Sequence, residues 1–309
     1  MEDPAEYCMQ AVRCHETNPA RAVALFQRAA ELGSPEGCFG LAEMKMNGLG
    51  TERDIEGAVE LYTKSAEAGN SPAMFRLGSI YTGTYGYPED RILCREWFEK
   101  AAEAGMELAY PEIAGIYLYG YGVQADPVKA MGYYRLSADS GNAQSMFMLG
   151  YMLSEGVGVD KDEQEAYRWF RRSAEGGIPE AQFRMARLTE EGKLPGGVDA
   201  AREWYQKAID QGFDPAKFNL GTMYYEGNGV KQDFAKAFQL YDEVAETGDA
   251  DALFMTARML FEGLGVEQDV EKAMERFGRS ATAGNQLAQQ FLSDLRRKQN
   301  TQFIKIDGL

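Results

Sequence analysis

A glycine recurs down this chain at nearly constant spacing. Gly33, Gly69, Gly105, Gly141, Gly177, Gly212, Gly248 and Gly284 stand in the segments ELGS, EAGN, EAGM, DSGN, EGGI, DQGF, ETGD and TAGN. The successive steps are 36, 36, 36, 36, 35, 36 and 36 residues. A period of this length, held over seven steps, marks a repeat protein whose units bury their faces against their neighbours.

The residues between the glycines keep the same register. Four residues after each glycine stands a small one: Gly37, Ala73, Ala109, Ser145, Ala181, Ala216, Ala252 and Ala288. Nine residues after stands another: Ala42, Gly78, Ala114, Gly150, Ala186, Gly221, Ala257 and Ser293. The eighth position is a larger apolar residue in seven units, and Thr256 breaks the rule. These spacings place all three sets on one broad helical face, here called helix A.

Helix A runs into loops such as Gly48-Leu49-Gly50, Gly120-Tyr121-Gly122 and Gly263-Leu264-Gly265. Glycine supplies the positive φ that ends one helix and turns the chain back. Helix-start residues follow at Asn18, Asp54, Asp90, Asp126, Asp162, Asp233 and Asp269, with Pro19 and Pro127 next to two of them. Helix B then carries a small–aromatic–small stripe. Its rings are Phe26, Tyr62, Phe98, Tyr134, Phe170, Tyr205, Tyr241 and Phe277, each four residues after an Ala or, once, Cys94. Strict register and small flanking residues assign this ladder to inter-helix packing, with Cys94 as core. A second ladder, Phe39, Phe75, Phe147, Phe183, Phe218 and Phe254, falls off the centre of the helix A stripe and is expected to pack as well.

These residues resemble the Sel-one-like repeat (SLR) family, relatives of the tetratricopeptide repeats. Ala73, Leu77, Gly78, Tyr81, Gly86, Asp90, Trp97, Phe98, Ala101, Ala102 and Gly105 follow the family pattern in one unit. Ala216, Leu220, Gly221, Tyr224, Gly227, Gly229, Val230, Asp233, Lys236, Ala237, Tyr241 and Gly248 follow it in another. The likeness spans roughly residues 18–295, and the fifth unit departs from it, its GKLPGGVD being one residue shorter and lacking the Asp cap. The resemblance implies a right-handed α/α superhelix, all-α, acting as a scaffold or adaptor without chemistry of its own. The expected organisation is a single repeat domain over 1–309, with about sixteen helices. It divides into an N-terminal cap pair (1–33), seven repeats (34–284), a C-terminal capping helix (285–298) and a tail (299–309).

Composition narrows the function. The chain has 32 basic and 48 acidic residues among 309, a net charge of −16, which disfavours nucleic acid and anionic membrane as partners. One histidine, His15, leaves most imidazole chemistry without residues to perform it. Cys8, Cys14, Cys38 and Cys94 are irregularly spaced and confined to the first third, unlike a secreted disulfide framework, so a reducing, cytoplasmic location is expected. Cys8, Cys14 and His15 lack a fourth zinc ligand, and no metal or cofactor is expected. The GxG loops each follow a helix rather than a strand, against a dinucleotide fingerprint. Carboxylate pairs such as Glu190–Glu191 arise freely in so acidic a chain.

In helix-pair solenoids the A helices line the concave side. Positions 7, 10 and 13 past the turn glycine face that side without belonging to the packing register. They include Arg76, Tyr151, Arg184, Arg187, Tyr225, Arg258 and Phe261. Arg and Tyr are frequent interface anchors, so these residues are the candidate partner-binding set. The leading expectation is a non-enzymatic scaffold that binds a basic or extended polypeptide. Two other readings stay open on the residues alone: a cytoplasmic inhibitor, such as an immunity protein against a bacterial toxin, and an enzyme with an unrecognised site.

Overall fold

The computed structural model describes the backbone of residues 2–306 and the side chains of 2–297. Seventeen helices and no strand occur among the described residues. The A helices are α1 (Pro4–Cys14), α3 (Pro35–Asn47), α5 (Ser71–Ile80), α7 (Ala109–Tyr119), α9 (Ala143–Glu155), α11 (Pro179–Glu190), α13 (Asp214–Glu226), α15 (Ala250–Glu262) and α17 (Gln286–Ile306). The B helices are α2 (Pro19–Glu31), α4 (Ile55–Glu67), α6 (Arg91–Glu103), α8 (Pro127–Asp139), α10 (Glu163–Glu175), α12 (Gly197–Ile209), α14 (Phe234–Ala245) and α16 (Val270–Thr282). The fold is all-α, of the α/α solenoid class. The count exceeds the expected sixteen because a cap pair, seven further pairs and one last helix make seventeen. That last helix continues to Ile306, through most of the stretch expected as a tail; 307–309 lie outside the described residues.

The chain forms two compact units, Met1–Ala166 and Tyr167–Leu309, with the boundary inside α10. In the first, each helix from α1 to α9 packs on the next; in the second the same holds from α11 to α17. The core is therefore assembled in A–B–A layers. One such layer joins Ala42 and Met46 of α3, Ala58 and Tyr62 of α4, and Ala73, Leu77 and Ile80 of α5.

The register explains why these helices pack. All eight rings of the B-helix ladder are buried, none more than 7% exposed. The small residue before each ring is buried too, Cys94 among them. Burial pushes the Cys94 thiol up to about 11, so it behaves as a core hydrophobe. Gly40 and Gly78 show why small residues are needed: a Cβ would meet the ring of Phe26 at 2.4 Å and of Phe98 at 2.8 Å. Thr256 keeps its buried place because its hydroxyl donates back to Ala252 O at 2.9 Å.

The second phenylalanine ladder packs edge-on or tilted against the first. Centroid distances are 5.7 Å for Phe39–Tyr62, 5.4 Å for Phe75–Phe98, 5.9 Å for Phe183–Tyr205, 5.1 Å for Phe218–Tyr241 and 5.7 Å for Phe254–Phe277.

Local chemistry sets the helix ends. Asp54 accepts from Gly57 N at 2.9 Å, and Asn18, Asp90, Asp126, Asp162, Asp233 and Asp269 cap their helices in the same way. Gly33 ends α2 at φ +85°, with Ser34 N donating to Ala29 O and Gly33 N to Ala30 O, a Schellman closure. The second glycine of each GxG loop solves a different problem. A Cβ on Gly50 would lie 2.3 Å from the carbonyl carbon of Pro19, at the start of the preceding B helix. Gly122, Gly158, Gly229 and Gly265 press on the first turns of α6, α8, α12 and α14 likewise. These loops hold repeats together. In the shortened fifth unit α12 follows Gly196, at φ +118°, with no side-chain cap.

Candidate partner-binding surface

Within each unit the A helices carry polar and aromatic residues that the packing register does not fix. Many of them turn out to serve the buried B-helix rings. Tyr62 donates to Glu43 at 2.7 Å, and Tyr205 donates to Glu190 at 2.8 Å while accepting from Asn219 at 3.2 Å. Tyr241 pairs with the Thr222 hydroxyl at 2.8 Å. A buried phenol needs a partner, and the neighbouring A helix supplies it. Burial, aided by the carboxylates beside them, pushes Tyr62 and Tyr205 well above the usual phenol range. Burial likewise pushes Tyr134 and Tyr241 up to about 12. Sequence reasoning missed these partners. The signal was the alternation of Tyr with Phe in the ladder, since each Tyr brings a hydroxyl to satisfy.

The seven sequence-derived candidates divide between the units. In the first, Arg76 grips Glu43 with Nε at 2.7 Å and Nη2 at 3.3 Å, completing a Tyr62–Glu43–Arg76 chain. Burial alone would lower the guanidinium, but Glu43 outweighs it and the net shift is upward. Tyr151 on α9 is 45% exposed.

The second unit holds the other five. Tyr225 on α13 stands edge-on to Phe234 at 5.4 Å, and the Arg258 guanidinium of α15 lies 5.9 Å above its ring. These two candidates are thus brought together from successive A helices. Arg258 Nε donates to Glu262 at 3.0 Å, the main cause of its raised pKa. Arg184 and Arg187 share α11: the first lies over the Phe170 ring at 5.7 Å, and the second donates to Glu191 at 3.1 Å. Glu191 is held below the usual carboxylate range, first by Lys193 and then by Arg187. Glu190 and Glu191 therefore serve separate partners, Tyr205 on one side and the two cations on the other. Phe261 turns toward Phe291 at 5.6 Å and packs on the core of α15–α17.

Among the described residues no group of three or more His, Cys, Asp and Glu is placed to hold a metal ion. Cys8 contacts the Ser34 hydroxyl at 3.7 Å, and His15 Nδ1 contacts Val12 O at 2.7 Å. No helix among the described residues is long and apolar enough to cross a membrane.

Comparison with known proteins agrees with this architecture. The Sel1 repeat profile matches residues 14–34, 35–70, 71–106, 112–142, 143–178, 179–213, 214–249 and 250–285. Among solved structures, a Sel1 repeat protein from Oxalobacter formigenes is 26% identical with a TM-score of 0.73, covering 95% of this chain and 94% of its own. A protective antigen of uropathogenic Escherichia coli with an SLR fold is 28% identical with a TM-score of 0.68, covering 96% of this chain and 73% of its own. A search of curated proteins returns no significant match. With eight repeat matches spread along nearly its whole length, the chain belongs to the Sel1 repeat family.

Proposed function

We propose that the protein is a non-enzymatic, protein-binding scaffold that takes a polypeptide partner on its A-helix face. Sel1 repeats generally mediate protein–protein interaction. The reading is carried by the pairing of Tyr225 with Arg258 across two successive A helices, where an exposed guanidinium lies over a ring whose other contacts are with Phe234 and Tyr241. Arg184 and Arg187 extend it along α11. Tyr151 and Arg76 add an exposed ring and a glutamate-paired guanidinium in the first unit, and Phe261 adds a ring that also packs on the core in the second.

Charge favours a basic partner. Arg187 and Arg258 each pair with a glutamate one turn along their own helix, which leaves the surface locally balanced. The net charge of −16 then steers a cationic polypeptide toward the molecule. Four unpaired cysteines suit a reducing, cytoplasmic setting. The repeat register runs through the boundary at residue 166 without a break, which supports one repeat domain over 1–309.

Affinity capture from the native organism tests the reading. A protein retained by the wild type but lost from an Arg184→Ala, Arg187→Ala, Tyr225→Ala, Arg258→Ala variant is the expected result. Turnover of a small molecule by the purified chain would overturn it.

A further inference from the structure

The seventh position past the turn glycine carries Arg76, Glu112, Met148, Arg184, Asn219, Met255 and Phe291, but Gly40 in the first of these A helices. Gly40 lies against the ring of Phe26 and adds no side chain of its own there, while Leu41 and Met44 pack on the same ring and leave it 7% exposed. Beside it lies a cavity of about 470 Å³ at α1 and α3, lined by Cys8, Val12, Phe26, Phe39, Met44 and Leu49. It lies wholly within the first unit. Its rim is apolar and open: Val12 is 60% exposed and Leu49 47%. Exposed apolar surface gathered on a concavity marks a place where something docks.

The charges around it select the occupant. Glu36 and Glu43 line the cavity, and no lysine or arginine does. Glu43 is met by Arg76 at 2.7 Å, while Glu36 takes a hydrogen bond from the neutral Ser34 hydroxyl at 2.9 Å. His15 also lines the cavity, with the exposed Glu16 carboxylate 3.8 Å from its ring. The exposed Val12 and Leu49 at the rim, with Glu36 in the same lining, present an apolar surface edged by carboxylate. It matches an amphipathic helix, whose apolar side chains repeat at i, i+3, i+4 and i+7.

We propose that this cavity is a second docking site. It receives an amphipathic helical segment of a partner protein, seating apolar side chains against Val12, Leu49 and Phe39 and placing Lys or Arg beside Glu36. The site goes beyond the second-unit surface proposed above and does not depend on it.

The test uses a fluorescent peptide with leucines on one helical face and lysines on the other, titrated by anisotropy against the full chain. An acidic twin with Glu for Lys is the control. Val12→Glu and Leu49→Glu change exposed residues, and circular dichroism confirms their fold. Each is expected to weaken binding at least about tenfold. The acidic twin is expected to bind at least about tenfold more weakly than the basic peptide. In a Cys14→Ser background the bound peptide slows maleimide labelling of Cys8, since Cys38 and Cys94 are buried. The quadruple alanine variant of the second unit binds as the wild type does. The proposal is overturned by absence of binding, by equal binding of the acidic twin, by indifference to both glutamate substitutions, or by an unprotected Cys8. Loss of the peptide from the quadruple variant alone would move it to the second unit and overturn this site without touching that surface.

Discussion

Phe170 and Tyr151 are both aromatic, and the repeat register gives them opposite environments: the first is 2% exposed and the second 45%. Phe170→Ala removes a ladder ring and leaves a cavity that the flanking helices close only in part, at a cost of about 3–5 kcal/mol. Tyr151→Ala changes stability by no more than about 0.5 kcal/mol. Denaturant melts of the two variants check the assignment of faces, and equal midpoints would contradict it. Tyr62→Phe probes the hydroxyl alone. It removes one bond to Glu43 while Arg76 still holds that carboxylate, so about 0.5–1.5 kcal/mol is lost. The ladder was legible in the sequence because its partners recur at a fixed offset. The hydroxyl partners were not: Glu43 and Thr222 share the tenth position past the turn glycine, but Glu190 stands at the thirteenth and the tenth carries Ser79, Gly115, Tyr151, Arg187 and Arg258 elsewhere, so no fixed residue type marks them.

At the scale of elements, the two kinds of glycine predict different penalties. Gly33 sits at φ +85° with no atom close to a built Cβ, so Gly33→Ala carries only the left-handed cost of about 1–2 kcal/mol. Gly50 adds a collision with the Pro19 backbone, and Gly50→Ala costs more than Gly33→Ala. Thermal melts that rank the pair the other way would contradict the repeat-to-repeat contact. Asp54→Ala removes the cap of α4 and costs about 0.5–2 kcal/mol. The B-helix caps were readable because Asp or Asn recurs before the stripe. The A-helix caps Ser34, Asn70, Asn142, Asp249 and Asn285 went unread, although each follows the turn glycine directly. They escaped because Met106, Ile178 and Phe213 interrupt the pattern with residues that cannot cap. In the candidate site the sequence placed Tyr225 and Arg258 on the A face. That one lies over the other is a property of how α13 and α15 pack.

At the scale of the whole molecule, four buried tyrosines couple stability to alkaline pH. Tyr62, Tyr134, Tyr205 and Tyr241 have raised pKa values in the fold, chiefly from burial, against about 10 in an unfolded chain. Above about pH 10 the unfolded state loses protons that the folded state keeps, so stability falls as pH rises. Below that range these four groups contribute no pH dependence. A melting series from neutral to alkaline pH, read beside tyrosinate absorbance, should show these four titrating only as the fold is lost. Titration of every tyrosine near 10 without unfolding would contradict their burial. The acidic field acts on association instead. The on-rate for a basic partner falls as salt screens the net charge of −16.

The central claim is that the A-helix face of the second unit holds a partner polypeptide. The most direct measurement is a titration of the captured partner against the wild type and the quadruple variant of Arg184, Arg187, Tyr225 and Arg258, with circular dichroism as the folding control. The account predicts an unchanged helical spectrum and affinity weakened at least about tenfold, as expected when interface anchors are truncated. A folded variant that binds its partner as tightly as the wild type would contradict it.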